Sequence, residues 1–285
     1  MKDTKNTPVD IPVSKLHTFA GHPYKVIENE EMNFLIDSIQ TQGILSPLIV
    51  RPLENTENEY EVVSGHRRLY AAIKAELETV PAFIYAMDRD AASIAVVDSN
   101  LHREHILPSE KAFAYKMKFD AMSHQGKSSC QVGTKSRTDM QMAENVDESA
   151  RQIQRYIRLT HLIPELLQWM DEGKIALSVG VELSFLPKHL QYDVHEICVA
   201  LDCTPSYSQS WHLHQDCKNG VLDRDMIFQT LSTEKANQRE TIKVPMDRLR
   251  KYIPKNYTSQ QAVDYLIKAA DYLNRYLRRQ RDQER

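Results

Sequence analysis

Between Glu30 and Gln42 apolar residues return every three or four positions, at Met32, Leu35, Ile36 and Ile39, and Gly43 follows at once. That spacing predicts a one-faced helix stopped by a glycine suited to the left-handed turn. Before it, Asp10 to Val13 reads as a short strand and Pro23-Tyr24 as a turn. After it the pattern changes. GILSPLIVRP (43–52) is an unbroken apolar run, ENTENE (54–59) a polar hairpin turn, and YEVVSG (60–65) a second strand. A helix over Leu69 to Ala75, a strand over Val80 to Tyr85 and a helix between Asp90 and Ser99 complete a small mixed α/β domain ending near residue 105.

Downstream the pattern is helical. Ser109 to Met122 follows Pro108, and a Gly/Ser/Lys loop (123–137) leads to Thr138-Asp139-Met140-Gln141, which has capping-box spacing. The turn VDES (146–149) precedes ARQIQRYIRLTHLI, Pro164 opens another helix, and Ala176 to Leu186 suggests one more. Pro205 to Ser208 reads as a linker or a helix start. In the tail, Thr241 to Pro245 reads as a strand and Asp247 to Ile253 as a short helix. Thr258 or Ser259 caps a final helix in which Val263, Leu266, Ala270, Leu273 and Leu277 form a heptad seam, the pattern of a dimer interface. The expected class is α+β, with an α/β domain at 1–105, a helical domain at 106–200, a linker with helices at 201–240 and a C-terminal dimerisation unit at 241–285.

The 285 residues hold two or three cores, and 41% hydrophobic with 26% charged residues is a globular composition. A net charge of −3 argues against a wholly basic nucleic-acid coat but allows a local basic face. No apolar run is long enough for a bilayer, and MKDTKNTPVDIPV lacks a signal core, so a cytoplasmic location is expected. Cys130, Cys198, Cys203 and Cys217 include no CxxC pair. With His195, His212 and His214 they offer zinc-like residue types without paired short spacings, so small buried thiols are expected and no metal site.

Asp139 to Leu159 has the pattern of a helix-turn-helix. Ala143 is the small residue that lets two helices cross, while Met142, Val146, Ile153 and Tyr156 face the partner helix. The other face shows Ser149, Arg151, Gln154, Arg155 and Arg158. Arginine and glutamine are side chains that bond bidentately to guanine and adenine edges. Lys135 and Arg137 in the preceding loop are candidate phosphate contacts. Asp147 stands where glycine is common in such motifs, and Glu148 where an apolar residue is usual.

SGHRR (64–68) places two arginines where a strand becomes a helix. Glycine admits an anion close to the backbone, and arginines bind phosphate oxygens. Spacing alone equally allows surface pairs with Glu76, Glu78 or Asp98.

Together GILSPLIVRP, YEVVSGHRRLYAAIKAELETVPAFI and SNLHREHILPSEKAFAY resemble the N-terminal boxes of the ParB family of partition proteins. The helix-turn-helix and the C-terminal seam fall where that family has its DNA-binding and dimerisation domains. The resemblance implies a ParB/sulfiredoxin-like N-terminal fold that binds CTP with magnesium. Gly65, His66, Arg67, Arg68, Asn100 and Arg103 would stand at the phosphates, and Gly43 and Ile44 would line the pocket. It also implies a homodimer on a palindromic site in double-stranded DNA, with a ParA-type ATPase as partner. A CTPase is expected from the family, but positions commonly Gln, Glu and Glu are Ser46, His66 and Ser99 here, which predicts weak or absent hydrolysis. A KorB-like local transcription regulator of a plasmid or conjugative element is the second reading. Sulfiredoxin shares the small fold, but its chemistry needs a cysteine where Ser64 stands.

Overall fold

Val62 and Val63 are neighbours in sequence and both buried, because the strand carrying them, β4 (Tyr60–Ser64), is covered on both faces. The computed structural model describes residues 7–54, 56–101, 103, 106–128, 138–143, 148–233, 246–254 and 256–283. With β1 (Val9–Pro12), β2 (Leu16–Thr18), β3 (Leu48–Pro52) and β5 (Thr79–Ile84), β4 forms a mixed sheet of order β1-β5-β3-β4-β2. β3 and β4 make the antiparallel hairpin, β5 lies parallel to β3, β2 parallel to β4, and β1 antiparallel to β5.

Three helices cover this sheet: α1 (Glu30–Gln42), α2 (His66–Lys74) and α3 (Arg89–Asp98). On one face Leu69 and Ala72 of α2 pack on Leu48, Val50, Val62, Val80 and Ala82. On the other, Ala92 and Val96 of α3 pack with Val63 and Phe19. α1 rides on α2 through Met32, Ile39 and Ala71. Its bounds and its Gly43 stop, at φ 69°, are those the apolar spacing predicts. By contrast, α2 begins at His66, three residues earlier than expected, which places both arginines in its first turn.

A buried ion cluster fastens the segment after β2. Glu61, paired across the hairpin with Arg51, accepts from Arg51 Nε at 2.7 Å, Arg89 Nη1 at 2.7 Å and the Ala20 amide at 2.9 Å. Burial works against the ionised form of this carboxylate, yet these donors hold its pKa below the usual range.

The helical part continues within the same compact unit, Met1–Thr233. It comprises α4 (Pro108–Ser128), α5 (Thr138–Ala143), α6 (Ala150–Leu159), α7 (Pro164–Asp171), α8 (Leu177–Leu183), α9 (Lys188–Ala200), α10 (Tyr207–Lys218) and α11 (Arg224–Ser232). One core runs from Ala112 through Leu159, Leu166, Leu183, Val194 and Leu213 to Leu231. Thus α10 and α11, in the stretch read as linker and helices, share the core of α7 to α9. Gly180 permits the close approach of α8, since a Cβ there would collide with Met170 Sδ and meet Leu159 Cδ2 at 3.2 Å. Buried Cys198 belongs to this core, and half-buried Cys203 and Cys217 pack against it. Among the described residues no group of three metal-ligating side chains is present, and no described helix is long and apolar enough to cross a membrane.

Lys25 stitches the sheet domain to the helices. Its amide donates to buried Glu110 at 2.7 Å, and its ammonium lies 3.8 Å from Asp171, which also caps α4 through Ser109.

The second unit, Glu234–Arg285, contains α12 (Met246–Leu249) and α13 (Ser259–Gln283). The strand expected at Thr241 to Pro245 lies outside the described residues. Thr258 is the cap of α13: its amide donates to Gln261 Oε1 at 2.9 Å, and its Oγ1 accepts from the Gln261 amide at 3.4 Å. The seam residues Val263, Ala270, Leu273 and Leu277 are exposed and Leu266 is half-buried, with Tyr265, Tyr272 and Tyr276 exposed beside them.

Candidate functional site: an arginine-lined cavity and a polar helix face

The strand-to-helix junction at Gly65 has a local cause. Gly65 sits at φ 106°, ψ 25°, where an L side chain is strained, and an added Cβ would lie 3.0 Å from buried Leu48 Cγ. No side chain caps α2. The amides of His66, Arg67 and Arg68 therefore have no intrahelical acceptor, and the positive end of the helix dipole is open.

That end opens into a cavity of about 430 Å³ lined by Ser64 to Arg68, by Ser99, Asn100 and Arg103 after α3, and by Glu31 and Leu35 of α1. Six of the eight expected nucleotide residues meet here from boxes more than thirty positions apart. The other two do not: Gly43 caps α1, and Ile44 packs half-buried between the sheet core and the α1–α2 core.

The arginines have different holds. Arg68 reaches back to the carbonyls of Ser46 and Pro47, the latter at 3.0 Å, fixing the loop before β3. Arg103 lies over the Tyr24 ring at 5.6 Å. Arg67, half-exposed, pairs with Glu31 at 3.3 Å. Asn100 is buried and donates to the Val96 carbonyl at 2.7 Å, leaving its own carbonyl oxygen as the acceptor it offers.

His66 is not a cationic phosphate ligand. Its ring packs on that of His22 with centroids 3.7 Å apart and planes tilted by 35°, and its Nε2 accepts from the Phe19 amide at 3.4 Å, which requires a lone pair there. Burial first, then His22 and Arg103, push its pKa from 6.5 down to about 3. It is a neutral plug between the cavity and the 19–24 segment.

The second candidate surface is α6. Ser149 caps it, accepting from the Gln152 amide at 3.2 Å. Met142 and Ile153 are buried together with Tyr115 of α4, as the apolar pattern requires. Glu148, the departure from the motif, has partners on α4: the Lys111 ammonium and Tyr115 Oη, the latter at 3.1 Å. On the polar face Arg151 is exposed, Arg155 bonds Gln152 at 3.1 Å, and Gln154 leans on Asp139 at 3.4 Å. Arg158 is held elsewhere. It donates to the Ser184 carbonyl at 2.9 Å and covers the Phe185 ring at 4.1 Å, so it ties α6 to the end of α8. Lys135, Arg137, Val146 and Asp147 lie outside the described residues.

Sequence reasoning passed over Glu31 and Leu35. Their spacing of four puts them on one face of α1, but that this face looks at the Gly65 junction depends on how α1 crosses α2.

Residues 1–101 match the family described as the ParB N-terminal domain. The chromosome-partitioning protein Spo0J of Thermus thermophilus is 33% identical over 168 residues, 59% of this chain and 56% of that protein. The chain spans about half the length of the curated relatives it matches. Two solved structures of C-terminally truncated chromosome-partitioning protein ParB from Caulobacter crescentus are also similar. The one complexed to the centromeric parS site has a TM-score of 0.43 at 20% identity, over 78% of this chain and 98% of that one. The one complexed with CTP-gamma-S has a TM-score of 0.32 at 24% identity, over 63% and 92%. Over residues 1–101 the chain thus matches the ParB N-terminal domain, and over 168 residues it is similar to a chromosome-partitioning protein.

Proposed function

We propose that this protein is a sequence-specific DNA-binding partition protein of the ParB type, dimeric on a centromere-like palindromic site and gated by CTP. The observation carrying this reading is the cavity at the N-terminus of α2, which no side chain caps and where Arg67, Arg68 and Arg103 gather with three amides that have no intrahelical acceptor. Such a site suits a polyphosphate. CTP as the nucleotide follows the family. The donor set is compatible with magnesium, because that ion is commonly held by one or two carboxylates plus substrate phosphates. Glu31 and the Asn100 carbonyl oxygen would hold it here, and the ion would neutralise phosphate charge.

Hydrolysis is weak or absent on this reading. Ser46 and Ser99 carry no carboxylate, and His66 is buried, neutral and engaged with Phe19, so none of the three orients water as an acid would. DNA is read by the exposed side of α6, chiefly Arg151, Gln154 and Arg155, with Ser149 at its cap. The α13 seam pairs two copies, since two-fold symmetry matches a palindrome. A ParA-type ATPase is the partner the family suggests.

Sequencing of genomic fragments retained by the purified protein, with and without CTP and magnesium, tests this. The proposal expects one discrete site class, with occupancy extending outward only when CTP is present. A compact footprint indifferent to CTP points instead to the local regulator, and retention without sequence preference removes both.

A further inference from the structure

We infer that Glu31 is an internal counter-ion that sets what the cavity accepts: it opposes a free polyphosphate and favours one already complexed to a divalent cation. This rests on the nucleotide reading above. Glu31 contributes the sole carboxylate among the described residues that line the cavity, against Arg67, Arg68 and Arg103. Its backbone is fixed in the first turn of α1, where Asn29 caps the helix by accepting from the Met32 amide at 3.0 Å.

Its side chain is 75% exposed, so burial does not force its placement on Arg67. Arg68 is committed to the Ser46 and Pro47 carbonyls and Arg103 lies over Tyr24. Arg67 is therefore the arginine whose present partner has the chemistry of the ligand. A phosphate that takes Arg67 must either displace Glu31 or share the cavity with its negative charge.

Displacement itself is easy, because an ion pair this exposed is screened by solvent and holds its partners weakly. Repulsion from the remaining phosphates is the larger effect, and it scales with the charge that enters. A divalent cation removes two negative charges from the ligand and gives Glu31 something to attract it. The same carboxylate thus penalises the bare anion more than the complexed one.

The test is calorimetric titration of CTP, and of inorganic tripolyphosphate, into the full chain in excess magnesium and in EDTA. Wild type, Glu31→Gln and the neighbouring Glu30→Gln are compared. The inference expects Glu31→Gln to bind CTP in EDTA about three- to tenfold more tightly than wild type. The magnesium preference should shrink accordingly, tripolyphosphate should follow the same order, and Glu30→Gln should keep the wild-type ratio. An unchanged ratio in Glu31→Gln overturns the inference while leaving the nucleotide site standing. So does a loss confined to magnesium conditions, which would make Glu31 a plain metal ligand. Absence of binding by wild type and both variants in either buffer would remove the nucleotide reading and this inference together.

Discussion

Acid should destabilise this protein well above the carboxylate range, and His66 is the reason. In the folded chain its imidazole packs against His22, accepts from Phe19 and is held neutral, with its pKa pushed from 6.5 down to about 3. The unfolded chain protonates near 6.5, so the unfolded state binds the extra proton first as pH falls. Stability from this group is complete above that value and is lost as pH drops from 6.5 toward 3. Over this window the loss is about 1.4 kcal/mol per pH unit, or about 2 kcal/mol by pH 5. At pH 5 that figure depends almost wholly on the unfolded pKa, because the folded site is still unprotonated there. Burial lowers His22 as well, which adds to the slope. Urea unfolding of wild type and His66→Gln across pH 7.5 to 5 isolates the contribution, since glutamine keeps an acceptor and cannot charge. The variant curve should be flatter by about 1.4 kcal/mol per unit below 6.5. Parallel curves would refute the buried neutral plug.

Three other substitutions separate structural roles from functional ones. Gly65→Ala should lose about 2 kcal/mol of stability in thermal melts, from left-handed strain and the contact with Leu48. Arg151→Ala should leave the melting temperature unchanged while weakening specific DNA binding about tenfold by fluorescence anisotropy. Arg158→Ala should cost about 1–2 kcal/mol of stability, because it releases Ser184 and Phe185. Truncation after Thr258 should give a monomer by sedimentation. A dimer of unchanged strength would remove the seam from the assembly.

What the sequence showed and what it hid divide along local and distant contacts. α1 was legible to the residue because four apolar positions and one glycine decide it locally. While spacing alone left an anion site and surface ion pairs equally open, the arginine pair at 67–68 was legible as lying at a strand-to-helix junction, since Gly65 and the helix start are adjacent. That Arg68 turns back to hold the 46–47 carbonyls was not, because the loop it fixes lies in another strand connection. Nor was the burial of His66, which depends on His22 folding over it. Periodicity put Arg158 on the polar side of α6 with Arg151 and Arg155, and only the packing of α8 withdraws it. The histidines and cysteines near 195–217 offered zinc-like residue types without paired short spacings, so small buried thiols were expected there, but the pattern did not say which of them enter the core. Placed on α9, Val194, Ile197 and Cys198 are its apolar stripe.

The central claim is that the Gly65 junction cradles a nucleotide, and calorimetry with CTP, ATP, GTP and UTP in magnesium addresses it most directly. Arg67→Ala is the informative variant, because Arg67 pairs with exposed Glu31 and carries no loop, unlike Arg68. The account predicts selective CTP binding by wild type and a loss of at least about tenfold in a normally folded Arg67→Ala. No binding of any nucleotide by wild type, or CTP affinity indifferent to Arg67, would contradict it.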